Sequence, residues 1–438
     1  MRGGHNGRLS GKPYHAEGSR RGEGSIEGKQ VICWLPVLLI IGQIAVTTCS
    51  AKTDPVTGRI RLIAVGNQWQ DIHQYALSLL RSDPRILFLA SIETANGLPP
   101  DELRKRVRIN FPRTKARLSS DTDVIQLMFS PPWVFTGNQQ QWIHDSVYED
   151  GVGLVLIHMG WQPCLTDPML YCNRPEDWVS SVIYNAWPMD VVIGESSKPG
   201  TGFKIVTETP VVDLPDFEKQ PIGFTGYAGP GLIEARPGAT VHAVWRVGGE
   251  DAIVSTTYGE GISLCLPIMD FMFGNPAIRD WKYHVDFVLN RIYFPADVPV
   301  PDDLELGHTL RASFKAFYEQ KGMMISLVDF IDKFGANTES LNVLIDELEA
   351  KRKEASRLYM KGEYQESLVE MEEALEGLLS ISEKSTQLRR RALLWIYVTE
   401  YLIVSGTAML CGFVLWTVMV KRRYYREVTT TRLSEAKD

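Results

Sequence analysis

One apolar run constrains this chain more than any other feature: Ala392 to Val420, reading ALLWIYVTEYLIVSGTAMLCGFVLWTVMV. At about 1.5 Å per residue, a helix of that length exceeds the roughly 30 Å hydrocarbon core of a bilayer. The sequence therefore predicts a transmembrane helix over 392–420, embedded mainly over Tyr401–Val420. Trp395, Tyr397, Glu400 and Tyr401 give the preceding turns the mixed character of a membrane interface. Arg389, Arg390 and Arg391 flank the run on one side, and Lys421, Arg422, Arg423 and Arg426 on the other, so local charge orients it weakly. The lipid bilayer is thus the first partner that the sequence implies.

A second apolar run, Val31 to Val46, follows a polar, Gly-rich leader over 1–30 that holds Arg2, Arg8, Lys12, Arg20, Arg21 and Lys29 against Glu17, Glu23 and Glu27. The run is short for a full span and suits the core of a signal sequence. Residues 31–49 read as a cleaved signal peptide or an uncleaved signal anchor, and the basic leader disfavours a buried core helix. Cys49 invites a lipoprotein reading, but Thr47 and Thr48 fit a lipobox poorly. An export signal here places 50–390 outside the cytoplasm. The second span then stops transfer and leaves 421–438 inside.

Formal net charge is −7, which argues against nucleic acid as a partner. Six Cys in 438 residues exclude a disulfide-dense miniprotein. There is no Cys-x-x-Cys and no His-Glu-x-x-His, so neither a metal nor a cofactor is assigned.

Over 58–294 strand-like and helix-like segments alternate. Strands are expected at 61–65, 85–90, 123–129 and 152–159, with a further short one at 106–111; helices are expected at 72–80 and 138–150. The strands are continuous apolar runs, the pattern of a parallel sheet covered on both faces. The fold class is α/β, a doubly wound sheet. Beyond Val191 the pieces look antiparallel: 203–208, 240–247, 252–258 and 261–268, with turns at GGED and GEG. A helix over 277–294 follows, then the Pro-rich boundary 295–303. Residues 304–390 read as a helical stalk: one helix to about 334, a second capped by Asn337 or Thr338 and running to about Met360, and a third from about Glu363 into the membrane. The stretch 354–375 resembles a tetratricopeptide-type hairpin, which needs a neighbour to bury its face. It is either a contact for a protein partner or homo-oligomer, or a solvated spacer.

Four pieces resemble the class I glutamine-amidotransferase-like superfamily, nearest its putative glutamine amidotransferase and trehalose-utilisation-type branch. They are DVIQLMFS (123–130), EDGVGLVLIHMG (149–160), the hairpin ARPGATVHAVWRVGGEDAIVSTTYGEGISLCLPIMDF (235–271) and the Trp-containing helix 277–294. The resemblance implies a flavodoxin-like sheet with a β-hairpin-rich C-terminal part. It also implies a Cys nucleophile within Gly-x-Cys-x-Gly and a later His-x-Glu, and residues 58–294 have neither. Pro131-Pro132 stand where a nucleophile elbow would start. No catalytic residue is assigned.

Ligands of open α/β sheets bind beyond the carboxyl ends of the strands. Those ends carry Asn67, Gln68 and Trp69; Ser91 and Glu93; Ser130 and Trp133; and His158, Trp161, Gln162 and Asp167. Trp faces beside amide and carboxylate groups suit a small polar or carbohydrate-like ligand. Alternatively they cover the sheet rim or meet a protein. Cys164 and Cys172 are read as a disulfide; the alternatives are two inert thiols, or a reactive Cys164 beside His158. His158, Asp167, Glu176 and Asp177 are too irregularly spaced to define a metal site. The leading expectation is a non-catalytic binding or sensing module. Its rivals are a hydrolase of sugars or amides with a rearranged loop site, and a structural or assembly protein.

Overall fold

The strand–helix alternation becomes a sheet covered on both faces. The structure is a computed structural model that describes residues 52–66, 71–94, 99–128, 130–157, 175–196, 202–220, 231–266, 281–333 and 338–435. The strands are β1 (Ile60–Gly66), β2 (Ile86–Glu93), β3 (Val124–Met128), β4 (Gly153–Ile157), β5 (Met189–Ser196), β6 (Phe203–Ile205), β7 (Gly231–Ala235), β8 (Thr240–Trp245), β9 (Asp251–Tyr258) and β10 (Gly261–Leu266). Eight of them form one sheet in the order β2-β1-β3-β4-β10-β9-β8-β6. The pairs from β2 to β10 are parallel and the rest are antiparallel. A second sheet pairs β5 with β7, antiparallel and outside the expected strands.

Side chains of a strand alternate between faces, and each face has its own core. Ile60, Leu62 and Ala64 join Val124, Val155 and Ile157 on one side. Ile63 and Val65 join Ile125, Leu127, Leu154 and Leu156 on the other. On the first side lie α1 (Asp71–Ser82) and, described farther on, α6 (His284–Tyr293). On the second lie α2 (Pro100–Asn110), α3 (Lys115–Asp121), α4 (Gly137–Tyr148) and α5 (Pro175–Val179). The short strand expected at 106–111 is instead the end of α2. Leu103 and Val107, one helical turn apart, are its buried residues, and Pro100, Asp101 and Glu102 form a favourable first turn.

The expected stalk is a three-helix bundle with its own core. Its helices are α7 (Leu304–Lys333), α8 (Glu339–Lys361) and α9 (Tyr364–Glu435). Gly362, at φ 83°, ends α8 in the left-handed region that glycine accepts without strain. Of the two cap candidates, Thr338 occupies the N-cap position of α8. α9 packs Met371, Ala374, Leu378 and Ile381 into the bundle, then continues with Leu394, Trp395 and Tyr401 exposed. It is long and apolar enough to cross a membrane.

The bundle is packed onto the α/β head, and residues 51–438 form one compact unit. Every residue of α6 is buried between the sheet and α7. At this seam Arg311 Nη1 donates to Asp286 Oδ1 (2.8 Å) and to Asn290 Oδ1 (2.9 Å). His308 Nδ1 lies 2.7 Å from Asp286 Oδ2. Tyr293 donates to Asp83 Oδ1 (2.7 Å), and its hydroxyl is 3.3 Å from that of Tyr359 on α8. Burial opposes the Arg311 charge, but the surrounding oxygens of Tyr359, Tyr293, Asp286 and Asp83 more than offset it and hold the guanidinium well above its ordinary value. Burial, then the Asp83 charge, pushes the Tyr293 phenol up, so it stays a donor.

Two outcomes follow for stability. Asp286→Ala leaves Arg311 as an uncompensated buried charge and is expected to cost about 3–5 kcal/mol; Asp286→Leu with Arg311→Met is expected to cost less, both read by urea unfolding of the detergent-solubilised protein. Burial also lowers the His242 imidazole from 6.5 to about 4. The unfolded chain therefore takes the proton first as pH falls. The His242 contribution is constant above about pH 6.5 and is lost toward pH 4, by up to roughly 3 kcal/mol, and His242→Gln makes the decline in the same titration shallower.

Candidate functional site

At the carboxyl edge the register places Gly66 of β1 beside Glu93 of β2 and Met128 of β3. A Cβ on Gly66 would lie 1.9 Å from the Met128 carbonyl oxygen, so the backbones meet at a distance that only glycine permits. Thr94 N donates to the Gly66 carbonyl (2.8 Å), and Thr94 Oγ1 donates to Ser130 Oγ (3.3 Å). Both side chains are buried. The structure thus brings Glu93, at the end of β2, and Ser130, just beyond β3, to one edge on either side of Gly66 of β1. Asn67, Trp69, His158, Trp161, Cys164, Asp167 and Cys172 lie outside the described residues, so the disulfide and the His158–Cys164 approach lie there too.

Trp133 follows that edge directly. It sits in the 3-10 turn Pro132–Val134, between β3 and α4. Gln140 Nε2 pins the turn by donating to the Pro132 carbonyl (3.0 Å), and Ser181 Oγ in turn donates to Gln140 Oε1 (2.8 Å). Across from it stands α2. With Leu103 and Val107 facing the core, the helical repeat turns Arg104, Lys105 and Arg108 outward. Arg104 Nε donates to the Trp133 carbonyl (3.2 Å), and its guanidinium lies 5.7 Å from the Trp133 ring centre.

Between these elements lies a cavity of about 720 Å³, lined by Arg104, Lys105, Arg108, Trp133, Phe135 and Thr136 among others. A second hollow of about 440 Å³ shares Arg108 and Thr136 with it and continues past Ile109, Phe111, Arg113 and Trp142. The rings of Phe111 and Phe135 meet edge to face at 5.5 Å beneath the two. The result is one groove with an aromatic floor and cationic rims. Expecting a strand at 106–111 concealed it, because alternation scatters residues that a helix gathers. The available signal was seven Lys/Arg against Asp101 and Glu102 over 101–117.

A third cavity, of about 390 Å³, opens between head and bundle beside Asp213, Asp286, Asn290, Asp302 and Arg311. Both oxygens of its buried carboxylate, Asp286, already have partners within the protein. Among the described residues no three His, Cys, Asp or Glu side chains gather as a metal site. Cys265 is buried in β10, and burial pushes its thiol up, away from nucleophilic chemistry.

No family model matches the chain. No curated protein matches it either. Among solved structures, a cytoplasmic protein from Salmonella typhimurium LT2 aligns at 18% identity and a TM-score of 0.39, covering 54% of this chain and 99% of that one. A second cytoplasmic protein from Salmonella typhimurium aligns at 17% identity and 0.39, covering 54% and 98%. An exo-β-1,4-mannosidase from Opitutaceae bacterium strain TAV5 aligns at 11% identity and 0.28, over 54% of this chain and 36% of the enzyme.

Gly66→Ala is expected to destabilise the head by about 2–3 kcal/mol or more, because Met128 backbone has to move; the midpoint of denaturant unfolding reads this directly.

Proposed function

We propose that this chain is a membrane-anchored, non-catalytic binding or sensing module, with an amidotransferase-like head that takes a small polar or carbohydrate-like ligand at the carboxyl edge of its sheet. The observation that carries this reading is the cavity beside Trp133, immediately beyond the end of β3. The order β2-β1-β3-β4 supports a flavodoxin-like head. In such folds the β1–β3 junction is the switch point where ligands bind, and here that junction holds Gly66 and leads to Ser130. Residues 58–294 contain no Gly-x-Cys-x-Gly and no His-x-Glu, which supports binding without glutamine hydrolysis.

We place the head on the extracytoplasmic side, with α9 crossing the bilayer through 401–420. The apolar run before the head and the cluster Lys421, Arg422, Arg423 and Arg426 after the span support this orientation. Cysteine introduced at the exposed Ser180 is expected to take an impermeant thiol label on intact cells, against a background in which the native cysteines are replaced. Labelling only after lysis contradicts the orientation.

Ligand binding is tested on the full chain in detergent, by calorimetry against a panel of mono- and oligosaccharides. Trp133→Ala is expected to weaken binding by about tenfold with an unchanged circular dichroism spectrum. The bound sugar is recovered intact. Turnover of the sugar contradicts the non-catalytic reading and favours the hydrolase.

A further inference from the structure

We propose that the groove between α2 and α4 binds an acidic oligosaccharide, a sugar chain bearing carboxylates, laid along Trp133, Arg108 and Trp142. The inference rests on the carbohydrate-binding reading and adds the charge and length of the ligand.

Length comes from continuity. The two hollows, of about 720 and about 440 Å³, share Arg108 and Thr136, so they form a furrow that suits several linked rings. Trp133 lies in one hollow and Trp142 in the other. Each ring is half-buried against the core and leaves part of its surface to the groove. A pyranose ring packs a flat C–H face on such a surface. An acidic peptide offers no such face at each residue.

Charge comes from the rims. Four cations, Arg104, Lys105, Arg108 and Arg113, line the groove against the single carboxylate of Asp101. Asp101 is 3.8 Å from Arg104, and Glu102 is 3.5 Å from Lys105. The side chains of Arg108 and Arg113 have no carboxylate or hydrogen-bond partner among the described residues, and both residues are exposed. The first turn of α4 is not the anion site, because its capping box is closed: Gln139 N donates to Thr136 Oγ1 (3.2 Å) and Thr136 N to Gln139 Oε1 (2.9 Å). Recognition of an anion therefore falls to the guanidinium groups, whose planar fork matches a carboxylate in a two-point hydrogen bond. The whole chain carries −7, so this positive strip is local. A long polyanion such as nucleic acid meets net repulsion beyond the groove, whereas a short acidic glycan does not.

The test uses the full chain in detergent micelles and four probes: hexagalacturonate, maltohexaose, a hexaglutamate peptide and a six-residue oligothymidylate. Hexagalacturonate is expected to bind, and to weaken by about tenfold when salt is raised to about 0.5 M. Arg108→Ala with Arg113→Ala is expected to weaken it by about tenfold or more, and Trp142→Ala by a similar factor, while circular dichroism stays unchanged. If maltohexaose binds as tightly and responds to Trp133→Ala but not to the arginine pair, the acidic assignment falls and carbohydrate binding stands. If no sugar binds, both readings fall. If hexaglutamate or oligothymidylate matches hexagalacturonate, the groove is a general polyanion site and the glycan assignment is overturned.

Discussion

The structure depends on one buried carboxylate. Asp286 is fully buried on α6, and its two oxygens are divided between Arg311 and His308 of α7. Two charges removed from water are costly unless each finds a partner. Here the partners stand on different parts of the chain, so the pairing is satisfied only when the helical bundle is seated on the head. Asn290, Tyr293, Asp83 and Tyr359 extend the same network from the sheet side to α8. Arg85 adds a guanidinium 5.4 Å from the Tyr359 ring centre. A seam of this kind fixes geometry more than it adds stability.

That seam gives the helical part its meaning. α9 begins beside the head, where Arg85 Nη2 approaches the Tyr364 hydroxyl at 3.3 Å, and continues without a break into the stretch able to cross a membrane. At about 1.5 Å per residue its 72 residues extend about 108 Å. A head carried on such a helix is, in the proposed reading, held away from the bilayer by the bundle. In the proposed reading, a ligand that shifts α2 against α4 acts on a sheet whose opposite face rests on α6, and α6 rests on α7.

Much of this was legible in the sequence. β1, β3, β4 and β10 are buried on both faces, and a strand that sees only core is apolar throughout. Gly362 and the pair of cap candidates Asn337 and Thr338, of which Thr338 holds the position, lie at the helix boundaries, because local backbone chemistry decides them. The long apolar helix over 392–420 was visible from its length and composition. What stayed hidden was tertiary. The segment 106–111 alternates like a strand, and only packing of Leu103 and Val107 onto the sheet selects a helix. The groove depends on that helix, so Arg104 and Arg108 were not associated with Trp133. The Asp286 network joins residues more than 200 positions apart, and no spacing rule connects Asp83 to Tyr293. Of the expected edge residues, Glu93, Ser130 and Trp133 were placed because the ends of parallel strands are predictable once the strands are.

The claim underlying the account is that head and bundle are one mechanical body joined at Asp286. Native-state hydrogen exchange on the full chain in detergent tests it most directly. Amides of α6, α7 and the central strands β1 and β3 are expected to exchange through one common opening, with matching free energies and matching denaturant dependence. An opening of α7 and α8 well below that of the sheet would show two bodies joined by a tether, and the account of how the head connects to the membrane would be wrong.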